Sequence, residues 1–422
     1  MRFSAAALLA WASLSAALPT QPNIYAGTKV FRVPTGNRNQ TDSIGRMIES
    51  LNLPTWTNAR LEFSHIDIQV SKDRLNAFHT ALKSVDPQLD KQIVTMHEDL
   101  GASILKEAEG MNSASVDPFA GLATDAWFNS YHSYNDHLTF LNDLVATFPN
   151  NAKIVTSGTS YQGRTITGIN IFGSSGSGTK PAIVFHGTVH AREWIATMVT
   201  EQVAYSLLSN YTTSATIKSY VDKYDFYIFP VVNPDGFVYT QTSDRLWRKN
   251  RQPTTSASCV GRDVNRNWAF KWDTPGGASA GDAPENKGLA AFLNARSSSA
   301  AGAKLFIDFH AYGLLFMGPY GYSCSAKAAD QTEHNRLEQG FAAAFKAPYG
   351  KTLTTGPICT TIYQATGNSV DYAYDVSKFK YSFTPELRGS SSGNGFVLPP
   401  AEIRPSGIEV YEGIKYLLAN MS

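Results

Sequence analysis

Cysteine is scarce in this chain: three in 422 residues. An odd number leaves one thiol over, so the fold does not rest on a fully paired disulfide framework. Charge of one sign is missing as well. Lys+Arg 36 stand against Asp+Glu 35, and so balanced a surface has no overall field to favour nucleic acid or an anionic membrane. Past the N-terminus no apolar run approaches the ~20 residues that a membrane-spanning helix needs. There are no internal repeats, and low complexity is limited to short Ser/Gly loops such as 173–178 and 389–395. What is present is a chain too long for one ordinary domain, with 43% hydrophobic residues to fill a large core.

Met1–Ala17 has a short basic start at Arg2, an apolar run Ala5–Leu14, and small residues Ser15 and Ala17 at cleavage spacing. That combination is expected to be a secretory signal peptide, which makes the protein secreted and soluble, with no membrane association. Asn39, Asn210 and Asn420 then stand in possible N-glycosylation triplets. Residues 28–108 have their own rhythm. Thr28–Val33, Leu61–Val70 and Gln92–Met96 are strand-like, while Asp42–Leu51, Lys72–Val85 and Glu98–Ala108 are helical. The alternation fits a small antiparallel α+β module, and Gly110–Ala126 reads as an exposed linker. The expected division is 1–17 signal peptide, 18–112 module and linker, and 113–422 main domain.

From Asp125 onward the pattern changes. Strands are expected at 153–158, 165–172, 181–186, 224–231, 304–310 and 379–386, with helices near 134–147, 193–208, 285–299, 330–346 and 400–419. This order requires parallel crossovers, hence a mixed α/β sheet with helices on both faces. Directly after the apolar run Pro181–Phe185 comes His190-Ala-Arg-Glu193. Ligands just past a strand lie where open α/β sheets place active sites. Imidazole and carboxylate together suit zinc, whose catalytic sites keep three protein ligands and one open position. His-x-x-Glu alone is common by chance.

Six further motifs follow in order: Asn-Pro-Asp-Gly (233–236), Arg-Leu-Trp-Arg-Lys (245–249), Asp-Val-Asn-Arg-Asn-Trp (263–268), Phe-His-Ala-Tyr (309–312), Thr-Ile-Tyr-Gln-Ala (361–365) and Phe-Thr-Pro-Glu-Leu-Arg (383–388). Together they resemble the zinc carboxypeptidases of the pancreatic carboxypeptidase A type, the fungal secreted members especially. The resemblance runs from about Asp125 to the C-terminus. It implies an eight-stranded type of mixed sheet, one zinc ion per monomer, and hydrolysis of the C-terminal peptide bond. The N-terminal module is similar to that family's ferredoxin-like activation domain, which implies a zymogen, an activating endopeptidase as partner, and a monomer.

Residue by residue, the resemblance makes His310 the third zinc ligand beside His190 and Glu193. Asp263 matches the carboxylate that takes the far N–H of His190 and raises its basicity. Water activation needs a base that then passes the proton to the leaving amine, and Glu386 matches it. Arg248 matches the permanent charge that polarises the scissile carbonyl and holds the developing oxyanion. An exopeptidase must also hold a free carboxylate. Arg266, with its planar fork, matches that anchor, with Asn265 and Tyr363 as helpers. Arg192, Tyr312 and Phe396 match accessory substrate contacts. Arg245 and Lys249 match no role and are expected in solvent, and His186 is expected to pack at a strand end.

Side-chain preference follows from the pocket floor, matched by Val370 and flanked by Met317, Gly321, Ile358, Ile362, Ala365 and Thr384. None is acidic, and an unpaired cation in an apolar pocket is costly, so aliphatic or aromatic C-terminal residues are expected. Cys324 and Cys359 match a disulfide of some relatives. Cys259 matches half of another, but the run Gly-Gly-Ala-Ser-Ala-Gly-Asp-Ala-Pro (276–284) is shorter than in relatives, where its partner would lie. Two other readings stay open: a zinc amidase or deacylase on the same scaffold, which would not need the Asn265/Arg266/Tyr363 clamp, and a non-catalytic binding protein, which loss of Glu386 or of a ligand would have favoured.

Overall fold

The computed structural model describes residues 24–57, 62–111, 124–254, 259–273, 278–389 and 393–422. The expected signal peptide and most of the expected linker lie outside the described residues. In the module, β1 (Lys29–Pro34), β2 (His65–Val70) and β3 (Val94–His97) form an antiparallel sheet in the order β2-β1-β3. Helices Arg38–Ser50 and Leu75–Val85 press Ile44, Met47, Phe78 and Leu82 against Phe31, Val33, Ile66 and Ile68. The first helix starts earlier than its apolar pattern, because Asn37 caps it by accepting the Gln40 N–H at 3.2 Å.

The main sheet contains β4 (Ala152–Thr159), β5 (Thr165–Ile171), β6 (Ala182–Gly187), β7 (Asp225–Phe229), β8 (Ala303–Phe309), β9 (Leu315–Gly318), β10 (Thr354–Pro357) and β11 (Tyr381–Glu386). Their order is β10-β9-β11-β8-β6-β7-β5-β4. β7, β6, β8 and β11 run parallel, while β4, β5 and the β9/β11 contact are antiparallel. The sheet is therefore mixed and eight-stranded. β9 and β10 have four residues each, too few to show a period of two, and the sequence pattern does not reveal them.

β6 is buried along its whole length. Ile183 and Phe185 pack on one face with the helix Trp194–Ser209, and Ala182 and Val184 pack on the other with Leu289 and Leu293 of the helix Pro284–Ser297. Helices thus cover both faces. The helix Trp194–Ser209 is not amphipathic as its sequence suggests; thirteen of its residues are buried, since the C-terminal helix Ile403–Asn420 covers its outer side. Cys324 and Cys359 are disulfide-bonded, and Cys259 is free and exposed. In the shortened loop, where 274–277 lie outside the described residues, Asn267 accepts the Gly281 and Ala283 N–H groups at 2.6 and 3.0 Å.

Candidate active site

Three neighbouring parallel strands end at one place, and their carboxyl ends make the site. β6 closes on Gly187, whose Cβ, had it one, would lie 2.7 Å from the Pro230 carbonyl oxygen. The chain turns sharply there and delivers His190 and Glu193 just before the helix Trp194–Ser209. His310 follows β8 and bridges to Glu386 at the end of β11: its N–H donates to the Pro385 carbonyl at 3.0 Å, and its carbonyl accepts from Leu387 at 2.8 Å.

His190, Glu193 and His310 are all buried, and each offers a ligand atom within 4.8 Å of the others. His190 Nδ1 lies 2.9 Å from Glu193 Oε1, and His310 Nδ1 lies 3.1 Å from Glu193 Oε2 and 3.0 Å from His190 Nδ1. The outer nitrogens are tied back. His190 Nε2 is 3.2 Å from Asp263 Oδ1, and His310 Nε2 is 3.2 Å from Asp308 Oδ2 and from Asn265 Nδ2. Two imidazoles whose outer nitrogens meet carboxylates, with their inner nitrogens converging on a third carboxylate, are a donor set that fits zinc. Asp308 is a partner that sequence reasoning missed; its position two residues before His310 on a buried strand was its only signal.

One short turn, Val264–Arg266, distributes three roles. Asp263 caps it, accepting the Asn265 N–H at 3.0 Å, and also accepts Arg248 Nε at 3.0 Å. Burial would raise the Asp263 carboxyl, but Arg248 and His190 hold it well below the usual range. Asn265 Oδ1 accepts the Ser369 N–H at 2.8 Å. Arg266 donates to the Asn265 carbonyl at 2.7 Å and to the Tyr363 hydroxyl at 3.1 Å. Burial, joined by the Glu193 charge, pushes Glu386 up to about 7 against the pull of His310, Arg248 and Arg266.

The metal-donor trio, Arg248, Asn265, Arg266, Tyr363 and Glu386 line one cavity of about 500 Å³ together with Met317, Ile358, Ile362, Ala365, Val370 and Thr384. Gly321 does not reach the lining; its N–H instead points to Asp371. Arg192 lies at the outer side with its guanidinium 3.8 Å from the Phe396 ring centre, and Tyr312 packs on the same ring at 4.8 Å. His186 packs between Phe229 and Phe306, as strand-end packing predicts.

The module closes the cavity mouth, where Trp56, Thr57, Ser64 and His65 join the lining. Asp67 accepts Arg32 at 2.8 Å and the Tyr312 hydroxyl at 2.5 Å, and Trp56 leans on Phe396. Arg245 corrects the sequence expectation of a solvated side chain. It is fully buried and pairs with Glu107 of the module at 2.6 and 2.7 Å, while also holding the Arg192 and Phe396 carbonyls. A charge is tolerated there only because another segment supplies its partner, which no local pattern announces. Lys249, also expected in solvent, is half-buried and donates to the Val260 carbonyl at 3.4 Å.

Residues 137–413 match the family described as zinc carboxypeptidase. The chain is 46% identical to the metallocarboxypeptidase A of Trichophyton tonsurans, across 98% of this chain and 97% of that protein. In fold it is similar to crystal structures of thrombin activatable fibrinolysis inhibitor, with a TM-score of 0.83 at 24% identity over 93% and 98% of the two chains. It is also similar to the carboxypeptidase A of Helicoverpa armigera, with a TM-score of 0.79 at 26% identity over 93% and 97%.

Proposed function

The chain belongs to the zinc carboxypeptidase family, and from that premise we propose a secreted monomeric enzyme, made as a zymogen, that removes aliphatic and aromatic residues from the C-termini of peptides and proteins. The observation that carries this reading is the juxtaposition in one cavity of the metal-donor trio, a cationic clamp and an uncharged pocket around Val370. His190, Glu193 and His310 would hold a zinc ion, which would supply Lewis-acid activation of water and of the scissile carbonyl.

The chain's own residues do the rest. Asp263 and Asp308 orient the two imidazoles. Glu386 takes the water proton and returns it to the departing amine. Arg248, fixed by Asp263, offers its guanidinium to the carbonyl oxygen as charge develops. Arg266, with Asn265 and Tyr363, holds the terminal carboxylate, which selects the last residue of a chain. Arg192, Tyr312 and Phe396 contact the residues before it. The test is direct: processed protein should cleave peptides ending in Phe or Leu, should leave those ending in Lys or Glu, and should stop when a chelator is added. A preference for basic ends would overturn the pocket assignment.

The domain boundaries belong to the same proposal: a signal peptide over 1–17, a removable module with its linker over 18–112, and the catalytic domain over 113–422. Module contacts at Tyr312, Phe396 and Arg245 support latency, because the module covers the route by which a large substrate would reach the clamp. Residues 108–125 contain no Lys or Arg, so the activating endopeptidase cuts after a non-basic residue. Uncut protein is expected to be nearly inactive on protein substrates, and a subtilisin-type protease should release activity where trypsin does not. Full activity in the uncut chain would leave the module a folding or binding role instead.

A further inference from the structure

The short helix Ser369–Asp375 touches every part of the specificity apparatus within its first turn. Ser369 donates its N–H to Asn265 of the clamp at 2.8 Å and its hydroxyl to Asp308 at 2.5 Å. Val370 forms the floor, and its carbonyl accepts the Ser382 hydroxyl at 2.9 Å. Asp371 comes next, fully buried.

An acidic residue three places after a helix cap ordinarily reaches back to the backbone N–H of the cap residue. Asp371 does something different. Its two oxygens accept the Gly321 N–H at 2.9 and 3.1 Å, the Tyr322 N–H at 2.9 Å and the Asn368 side-chain amide at 2.8 Å. That same amide donates to the Ala365 carbonyl at 2.8 Å, and the Ala365 N–H donates to the Gly321 carbonyl at 2.8 Å. The carboxylate is therefore the centre of a closed network. It joins the 320–322 segment, which backs the lining residues Ile358, Ala365 and Asn368 and is anchored further by Cys359 N–H to the Tyr320 carbonyl at 2.9 Å, to the floor residue and to Ala365.

Among the described residues no cation is bonded to this carboxylate, and burial pushes it up to about 6 even though Gly321, Asn368 and Tyr322 pull the other way. Keeping a carboxylate in such a place is unfavourable unless its acceptors are filled, and here they are filled by Asn368 of the lining and by the Gly321 and Tyr322 N–H groups behind it. This also accounts for an acidic residue one position from the floor that leaves the pocket lining uncharged.

We propose that Asp371 is a positioning residue for side-chain specificity, holding the 320–322 segment behind the lining against Asn368 and Ala365, so that the pocket keeps the width of an aliphatic or aromatic side chain. The inference rests on the assignment of Val370 to the pocket floor.

The test uses the full chain after activation and three matched peptides ending in Phe, Ala and Arg. Asp371→Asn keeps the shape but turns an amide NH2 toward N–H donors: Gly321 if it takes the Oδ1 position, and Gly321, Tyr322 and Asn368 if it takes the Oδ2 position. It should lower kcat/KM for the Phe peptide by about tenfold or more, the range in which a misfitting pocket costs a substrate. The loss should lie mainly in KM, with less than about threefold lost on the Ala peptide, whose methyl barely enters the pocket. Zinc content should not change. Asn368→Ser, which removes the amide bridging Asp371 and Ala365, should shift the Phe/Ala ratio in the same direction and serves if the first variant fails to fold. Equal losses on Phe and Ala, or an unchanged ratio in whichever variant folds, would overturn the proposal. A wild type that prefers Arg over Phe would instead strike down the apolar-pocket reading on which it stands.

Discussion

Glu386→Gln is expected to slow peptide hydrolysis by ~10²–10⁴-fold, the usual contribution of a positioned general acid–base group, while the protein still binds one zinc ion. The reason is the separation of roles at the end of β11. Glu386 lies against the donor trio but is not one of its members, so its amide would not empty the metal site. Burial raises its carboxyl to about 7, near the value at which a group both accepts a proton and gives it back at neutral pH. Glutamine has nearly the same shape and can do neither. Metal content by atomic emission and initial rates on one peptide decide the matter. Near-normal rates at full zinc occupancy would remove Glu386 from its role, and rate loss matched by zinc loss would make it a site-building residue.

Arg266→Ala should be nearly as damaging, but only for substrates with a free C-terminus. Losing one partner of a hydrogen-bonded charge pair in a buried interface costs about 2–5 kcal/mol, and the loss should appear mainly in KM. The Arg266 guanidinium is held in place by the Asn265 carbonyl and the Tyr363 hydroxyl, so the fork is already oriented before substrate arrives. C-terminally amidated peptides lack the charge it binds. They should be poor substrates of the wild type and should lose little more in the variant. If the wild type cleaved free and amidated peptides equally, the clamp would have no work to do and the amidase reading would gain.

Much of this was legible before any coordinates. The apolar run Pro181–Phe185 marks β6, because a strand buried on both faces needs no polar positions; β8 and β11 are mixed runs, with Lys304 and Asp308 in one and Ser382 and Thr384 in the other. His190 and Glu193 stand out because they follow that run, and His310 because it closes another strand; the ordered motifs reach Asn265 and Arg266 only through their resemblance to the family's. Other features stayed dark for identifiable reasons. β9 and β10 are too short for periodicity. The helix Trp194–Ser209 reads as amphipathic until its outer side is covered by the C-terminal helix.

The sequence by itself determined the order of the longer elements and the placing of His190 and Glu193 just after a buried strand, since these depend on residue type at local spacing; the clamp and the uncharged pocket were legible only through the resemblance of the ordered motifs to the family's. Tertiary structure alone decided that Asp308 backs His310, that Arg245 is buried against Glu107 rather than solvated, that Trp56 of the module stands at the cavity mouth while Asp67 holds Tyr312, and that Asp371 holds the segment behind the lining of a pocket it does not line. Apart from Asp308, which stands two residues before His310, those are partnerships between groups far apart in the chain. A charge or hydrogen-bonding group carries no local mark of the partner that makes its burial tolerable, because that partner is chosen by packing and not by spacing.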